Sequence, residues 1–294
     1  MRESPCVRFL HCSDIHLVGD YASKGLVALG WRRMPALVEL KLRGRGTAFA
    51  RSFQSVQAIT AQATAQKVDH LIVSGDLTGY ALEEEFDAAR AALGDWAADP
   101  QRCTVIPGNH DTYTPGALTA KRFERRFGHL LTSAWPEHAR EGVFPFVHLF
   151  DEAAVVGLLS ARVPFVPGCS FGVIGQRQLD GLDAVLADPR LGQRAVLLVV
   201  HHAPLNPHGR PDTPLHGLVD ARALLERLPG PRHAVLHGHI HRRYHHPATT
   251  TRPHIFGAGS STQAGREGYW LLDVKGGTIT GEMRPLSGHV EQRA

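Results

Sequence analysis

Five short apolar runs, each closing on a polar cluster, constrain what this chain can fold into more than any other feature: "VRFLHCSDIH", "HLIVSGD", "CTVIPGNHD", "AVLLVVHHAP" and "HAVLHGHIH". A run of about four to six apolar residues bounded in this way reads as a buried strand that carries function at its C-terminal end. Between the runs lie stretches with helical periodicity, at 48–67, 82–98, 117–127, 176–186 and 218–228. Strand and helix alternate, which predicts a layered α/β fold. After Pro247 the pattern changes to "HIFGAGSS", "GYWLLDV" and "TITGEMRPL", and these short alternating segments predict an antiparallel run closing the second half of a sandwich. No internal repeat, low-complexity tract or obvious linker interrupts the chain, so the expectation is one domain over residues 1–294.

Composition sets the outer bounds. With 294 residues and 43% hydrophobic content the chain can bury a full core. No apolar run reaches the roughly eighteen residues needed to span a bilayer. The N-terminus passes straight from Met1 into the strand-like "CVRFLHCSDIH", which does not read as a secretion signal. Cys6, Cys12, Cys103 and Cys169 fall in or beside apolar stretches and form no CxxC pair, so they read as buried free thiols in a reducing cytoplasm. A formal charge of +4 and a pI near 9.0 favour anionic partners without singling out nucleic acid. The 19 histidines are the stronger oddity.

Residues 24–51 depart from the regular alternation. Lys24, Arg32, Arg33, Lys41, Arg43, Arg45 and Arg51 face a single acid, Glu39, while Val27, Trp31, Met34, Val38 and Leu42 make a helical stripe that Pro35 splits. A basic amphipathic insertion of this kind can lie on anionic lipid at the inner face of a membrane or line a substrate entrance. It can equally be an ordinary solvated helix pair packed on the core.

The polar residues at the five strand ends are Asp14 and His16, Asp76, Asn109 with His110 and Asp111, His201 with His202, and His239 with His241. In an open α/β sheet ligands gather outside the carboxyl ends of the strands, so these clusters can meet in one site. Any one of them alone is weak, because an isolated Asp-x-His or Gly-Asp more often caps a helix or turns a loop. The residue types suit a pair of divalent ions about 3.5–4 Å apart, which need a shared anionic bridge and nitrogen and oxygen ligands on either side. Without cysteine among the ligands a structural zinc knot is disfavoured, and manganese, iron or zinc would fit.

The ordered set "DIH" (14–16), "GDLT" (75–78), "GNHD" (108–111), "HH" (201–202) and "GHIH" (238–241) resembles the calcineurin-like metallophosphoesterases, and among them the class III cyclic-nucleotide phosphodiesterases. The resemblance implies a four-layer αββα sandwich of two mixed sheets flanked by helices. Carried over motif by motif, it puts Asp14, His16, Asp76 and His241 on a first ion and Asp76, Asn109, His201 and His239 on a second, with Asp76 as bridge. It implies in-line attack on phosphorus by a hydroxide held between the ions, with His110 stabilising charge or protonating the leaving oxygen and Asp111 orienting the His110 ring. In "VVHHAP" the motif takes the first histidine, His201, as ligand, while His202 stays open as the alternative. His237 has no counterpart in the motif and reads as a bystander. His11 and Cys12 read as packing, and His245 and His246 as exposed loop residues. Arg242 and Arg243 can meet a substrate phosphate, or can be a basic loop pair with no specific task.

The expected activity is therefore hydrolysis of a small phosphodiester or nucleotide-type substrate, cyclic nucleotides included, with contacts from loops such as 112–116 and 206–216. Segment 24–51 motivates a second substrate reading, a lipid-linked pyrophosphate such as UDP-diacylglucosamine at a membrane surface. A nuclease is less favoured, because the basic residues cluster in one insertion and no aromatic stacking platform is visible. From another class, a non-catalytic binding scaffold of the same fold is disfavoured by the completeness of the ligand set.

Overall fold

The computed structural model describes residues 6–19, 45–112, 114–164 and 169–286. Most of the basic insertion at 24–51 lies outside the described residues. Its end forms a short helix, α1 (Arg45–Ala48), ahead of α2 (Ser52–Ala65). The first three apolar runs form β1 (Val7–Cys12), β2 (His70–Val73) and β3 (Cys103–Val105), paired in parallel with Phe9 opposite His70 and Leu71 opposite Cys103. Between β2 and β3 lies α3 (Glu83–Leu93), with Glu83, Glu84 and Glu85 in its first turn, where the helix dipole favours negative charge. Glu85 also accepts hydrogen bonds from the Tyr80 and Leu82 amides, both at 3.0 Å.

The helical stretch expected at 117–127 is two helices, α4 (Pro115–Thr119) and α5 (Arg122–Phe127), because Lys121 adopts a left-handed conformation, φ 48°, between them. Thr114 caps α4 by accepting the Ala117 amide. A hairpin that the sequence did not disclose follows, β4 (Phe146–Leu149) and β5 (Ala153–Gly157), then α6 (Gln176–Ala187), β6 (Ala195–Val199), α7 (Ala221–Glu226), β7 (His233–His237), β8 (Arg243–His246) and β9 (His254–Ala258). These strands make a six-stranded mixed sheet in the order β4-β5-β6-β7-β9-β8. The last two strands, β10 (Gly268–Lys275) and β11 (Thr278–Pro285), return to the other sheet, whose order is β11-β10-β1-β2-β3.

Two sheets flanked by helices therefore form the sandwich, but the segments after Pro247 do not form one antiparallel run. Only β10 and β11 pair that way, β10 lying against β1, whereas β9 runs parallel to β7 in the opposite sheet. Period-2 alternation explains the layering. Leu197 and Val199 of β6 join the apolar cluster that also holds Phe9, Leu71 and Val73, while Val196, Leu198 and Val200 point to the cluster with Leu179, Leu182 and Val185 of α6 and Leu224 of α7. A strand buried on both faces has no polar side to show, and "AVLLVV" is accordingly unbroken.

Two smaller expectations are corrected. Cys12 and Cys103 are buried free thiols, but Cys6 is exposed and Cys169 half-buried. His245 and His246 lie on β8, half-buried rather than on an exposed loop, and the His245 ring stacks on Phe256 at 4.1 Å. Among the described residues no helix is long and apolar enough to cross a membrane.

Candidate metal centre

All five motifs meet at the C-terminal ends of the parallel strands of both sheets. Asp14 and His16 follow β1, Asp76 follows β2, Asn109 and His110 follow β3, His201 follows β6, and His239 and His241 follow β7. The backbone there is unusual: Asp14 (φ 50°), His16 (38°), Asp76 (52°), His239 (72°) and His241 (55°) are all left-handed. Non-glycine residues in that region cost about 1–3 kcal/mol each and persist only where the surroundings enforce them. The enforcement is visible. The His16 amide bonds to the Asp76 carbonyl and the Asp14 amide to the Gly75 carbonyl. The His239 amide donates to the Asp14 carboxylate at 2.9 Å, and the His110 amide to Asp76 Oδ1 at 2.8 Å.

Side chains converge in two overlapping groups, Asp14 with His16 and His241, and Asp14 with Asp76 and His201. In the first, His241 Nε2 lies 3.2 Å from Asp14 Oδ1 and 3.1 Å from His16 Nε2. In the second, His201 Nε2 lies 3.3 Å from Asp76 Oδ2 and 3.0 Å from Asn109 Oδ1, and His239 Nδ1 lies 3.1 Å from the same amide oxygen. Asp76 Oδ2 is also 3.9 Å from His16 Nε2, so this carboxylate faces both groups, as a bridge would.

Ring tautomers follow from the partners on the other nitrogen. His16 Nδ1 donates to the Thr78 carbonyl, His201 Nδ1 to that of Ser74, and His239 Nε2 to that of His216. Each second nitrogen is left as a lone pair aimed inward, the arrangement that orients a metal-binding imidazole. Facing acceptors repel unless a cation lies between them. Burial opposes a charge on His201, but the Asp76 and Asp14 carboxylates overcome it and push the ring up to about 9. The same contacts act in reverse on Asp76. Burial would raise it, yet His201, His110 and His16 hold it well below the carboxylate range. His239 cannot answer with a proton, because burial and its neighbours His202, His201 and His216 lower it far below 6.5. Divalent ions held by the two groups would satisfy these lone pairs and take the place of the proton on His201. The nitrogen and oxygen donor set suits a first-row transition metal.

Glycines make the convergence possible. A Cβ on Gly108 would meet the carboxylate and amide of Asp76, and one on Gly238 would strike Ser13 Oγ and Asp14 Oδ2. No side chain fits at either position.

His110 stands half-exposed beside the cluster, its ring 5.0 Å from that of His16, and its Nδ1 donates to the Gly79 carbonyl at 2.7 Å. That carbonyl, and not Asp111 as expected, orients the ring. The Asp111 carboxylate accepts from the amides of Leu77, Thr78 and Gly108 and from the Thr78 hydroxyl, which ties the second motif to the third. Burial and the neighbouring Asp76 push Asp111 up to about 7.

His202 turns away from the cluster, between the Ser160 hydroxyl and the Ser170 carbonyl. His237 is buried, with Nδ1 on the Gly238 carbonyl. The sequence reading missed the brace on the first motif. Ser260 Oγ donates to the Asp14 carbonyl, Thr262 Oγ1 to that of Ile15, and Ser261 Oγ receives the Ser13 amide. A run of hydroxyl residues directly after an apolar strand, "FGAGSST", was the available signal.

The sequence model of the calcineurin-like phosphoesterases matches residues 7–243, which span all five motifs. The chain belongs to the calcineurin-like phosphoesterase family. Among solved structures, a dimetal phosphatase from Danio rerio shares the fold with a TM-score of 0.63 at 15% identity, over 95% of this chain and 96% of that one. A purple acid phosphatase from yellow lupin, Lupinus luteus, superposes with a TM-score of 0.58 at 12% identity over 98% of this phosphoesterase, which spans 52% of the lupin chain. No curated protein matches by sequence. Family membership implies a dinuclear divalent metal centre, and the convergent residues supply the donors for one.

Proposed function

We propose that the protein is a metal-dependent phosphodiesterase acting on small phosphodiesters, cyclic nucleotides among them. The convergence of Asp14, His16, Asp76, Asn109, His201, His239 and His241 at the strand ends carries this reading. In it, Asp14, His16, Asp76 and His241 hold one ion and Asp76, Asn109, His201 and His239 the other. A bound pair of divalent ions supplies an activated water and neutralises the phosphoryl oxygens. The chain's own residues do the rest. Backbone amides of His239 and His110 fix the two carboxylates, and carbonyls fix the three imidazoles. An alkoxide leaving from a diester needs a proton, and His110, held through Nδ1 on Gly79, offers Nε2 to carry it.

The test loads purified protein with manganese, counts bound metal by mass spectrometry and assays an aryl phosphodiester, an aryl phosphomonoester and cyclic AMP beside an Asn109→Ala control. Metal-dependent diester cleavage that disappears in the control is the expected result. A protein that binds metal yet cleaves only the monoester refutes diester specificity, and one that binds no metal refutes the whole reading.

A further inference from the structure

A cavity of about 610 Å³ lies against the loop that carries Asn109 and His110, with Asp111 and Thr112 in its wall, so one loop serves both the metal cluster and the cavity. Helices α4 and α5 add Leu118 and Phe123, and the turn at 141–144 adds Val143 and Phe144. The loop follows β3, and a further stretch of wall follows β5, so the cavity sits at the same end of the sheets as the five motifs. That second stretch holds Leu159 and Ala161, which flank Ser160. The Ser160 hydroxyl bonds the ring of His202, 5.0 Å from that of His201.

The lining suits an uncharged group. Glu141 and Arg162 pair with each other at 2.8 Å, Asp111 is engaged by three amides and a hydroxyl, and Lys121 and Glu124 stand exposed with opposite sign. Of the five large hydrophobic residues exposed among the described residues, Leu118 (44%) and Val143 (43%) both line this cavity. Large apolar side chains left in water at a concavity mark a surface that a ligand covers. The volume also falls in the range of about 300–1,000 Å³ that encloses a small organic molecule. A smaller apolar hollow of about 330 Å³, walled by Pro204, Leu205, Ala221 and Leu225, carries no motif residue and so lacks this continuity with the metal cluster.

Resting on the hydrolase reading above, we propose that this cavity receives the leaving alcohol of the substrate as an uncharged apolar group, so that among small diesters an ester of a compact apolar alcohol, aromatic alcohols included, is favoured. His110, which hands a proton to the departing oxygen in that reading, immediately precedes Asp111 and Thr112 of the cavity wall. In the step served, the oxygen of water bonds to phosphorus and the P–O bond to the alcohol breaks with its electron pair on the departing oxygen. One proton reaches that oxygen, the alcohol leaves neutral, and the remaining proton passes to solvent as the monoester forms.

Two measurements on the full chain separate this assignment from the reading beneath it. In fluorescence titration the uncharged probe N-phenyl-1-naphthylamine should bind the wild type. Leu118→Asp or Val143→Asp, each placing a carboxylate on the cavity wall at an exposed position where the fold tolerates it, should weaken that binding by about 10-fold. No binding by the wild type, or binding that survives both substitutions, overturns the cavity as an apolar site whatever the activity. In hydrolysis with excess manganese, methyl 2-naphthyl phosphate should exceed methyl phenyl phosphate in kcat/KM by about 10-fold, because the second ring adds apolar area for the cavity to bury, and either substitution should bring the two esters within about 2-fold. Equal values in the wild type, or a preference that both variants keep, overturn the leaving-group assignment. If the metal-loaded wild type cleaves neither ester, the hydrolase reading fails, and the titration alone decides whether the cavity takes an apolar ligand.

Discussion

His201 and His202 are neighbours in sequence, both fully buried, with ring centroids 5.0 Å apart, yet their surroundings differ in kind. His202 is satisfied by the protein alone. Its Nε2 donates to the Ser170 carbonyl, and its Nδ1 accepts the Ser160 hydroxyl. His201 also gives one N–H to a carbonyl, that of Ser74, but its other nitrogen faces the oxygens of Asp76 and Asn109. A hydroxyl can turn its hydrogen toward an imidazole, and a carboxylate cannot. What faces the second nitrogen therefore distinguishes a packed histidine from a candidate ligand, and burial does not.

The largest expected effect comes from breaking the contrast at His201. His201→Ala should reduce metal content from two ions toward one per chain and lower kcat/KM by about 10²–10³-fold, a loss on the scale of removing one preorganised electrostatic contact. His202→Ala should keep both ions and lose stability instead. Metal analysis beside thermal denaturation reads the two together, and identical metal loss in both variants would dissolve the distinction.

A second pair of buried histidines sharpens it. His70 and His148 share the Thr104 hydroxyl at 2.7 and 2.9 Å, between β2, β3 and β4 and away from the metal cluster. Burial lowers His70 to about 3, helped by its neighbour His148, and burial lowers His148 to about 4. Both bind fewer protons folded than unfolded between about 4 and the free value near 6.5, so stability is full above that window and falls as pH drops through it. The loss should be on the order of a few kcal/mol by pH 4, should persist in His201→Ala, and should shrink in His148→Gln. A flat profile below about pH 6.5 would mean that these rings are not held neutral.

The smallest effect tests the partner rather than the ring. Ser160→Ala leaves His202 Nδ1 buried without its donor and should cost about 1–3 kcal/mol with metal content unchanged. Denaturant unfolding measures it, and loss of an ion in this variant would place His202 in the metal cluster.

Much of the site was legible in the chain, because polar residues that close apolar runs have few places to go other than the ends of the strands. The strands that carry the motifs, β1, β2, β3, β6 and β7, could be read from runs such as "HLIVSGD" and "AVLLVVHHAP". Less legible were "FVHL" and "AAVVG", whose hairpin has no polar cluster to mark it, and the break at Lys121, which follows from a backbone angle and not from residue type. The task of Asp111 was misread because adjacency to His110 suggested contact, whereas the turn sends the carboxylate to three amides.

The sequence by itself determined the layered α/β class, the strand ends that carry the polar clusters, and the donor types that suit divalent ions. These are local properties: hydrophobic periodicity, the reach of a turn, and the chemistry of a side chain. Tertiary structure decided which nitrogen of each imidazole points inward, that Gly79 and not Asp111 holds His110, that "GSST" braces the first motif, and that β9 and β10 part to opposite sheets. Each of those depends on a partner distant in sequence, and hydrogen-bond geometry between distant segments exists only once the core has brought them together.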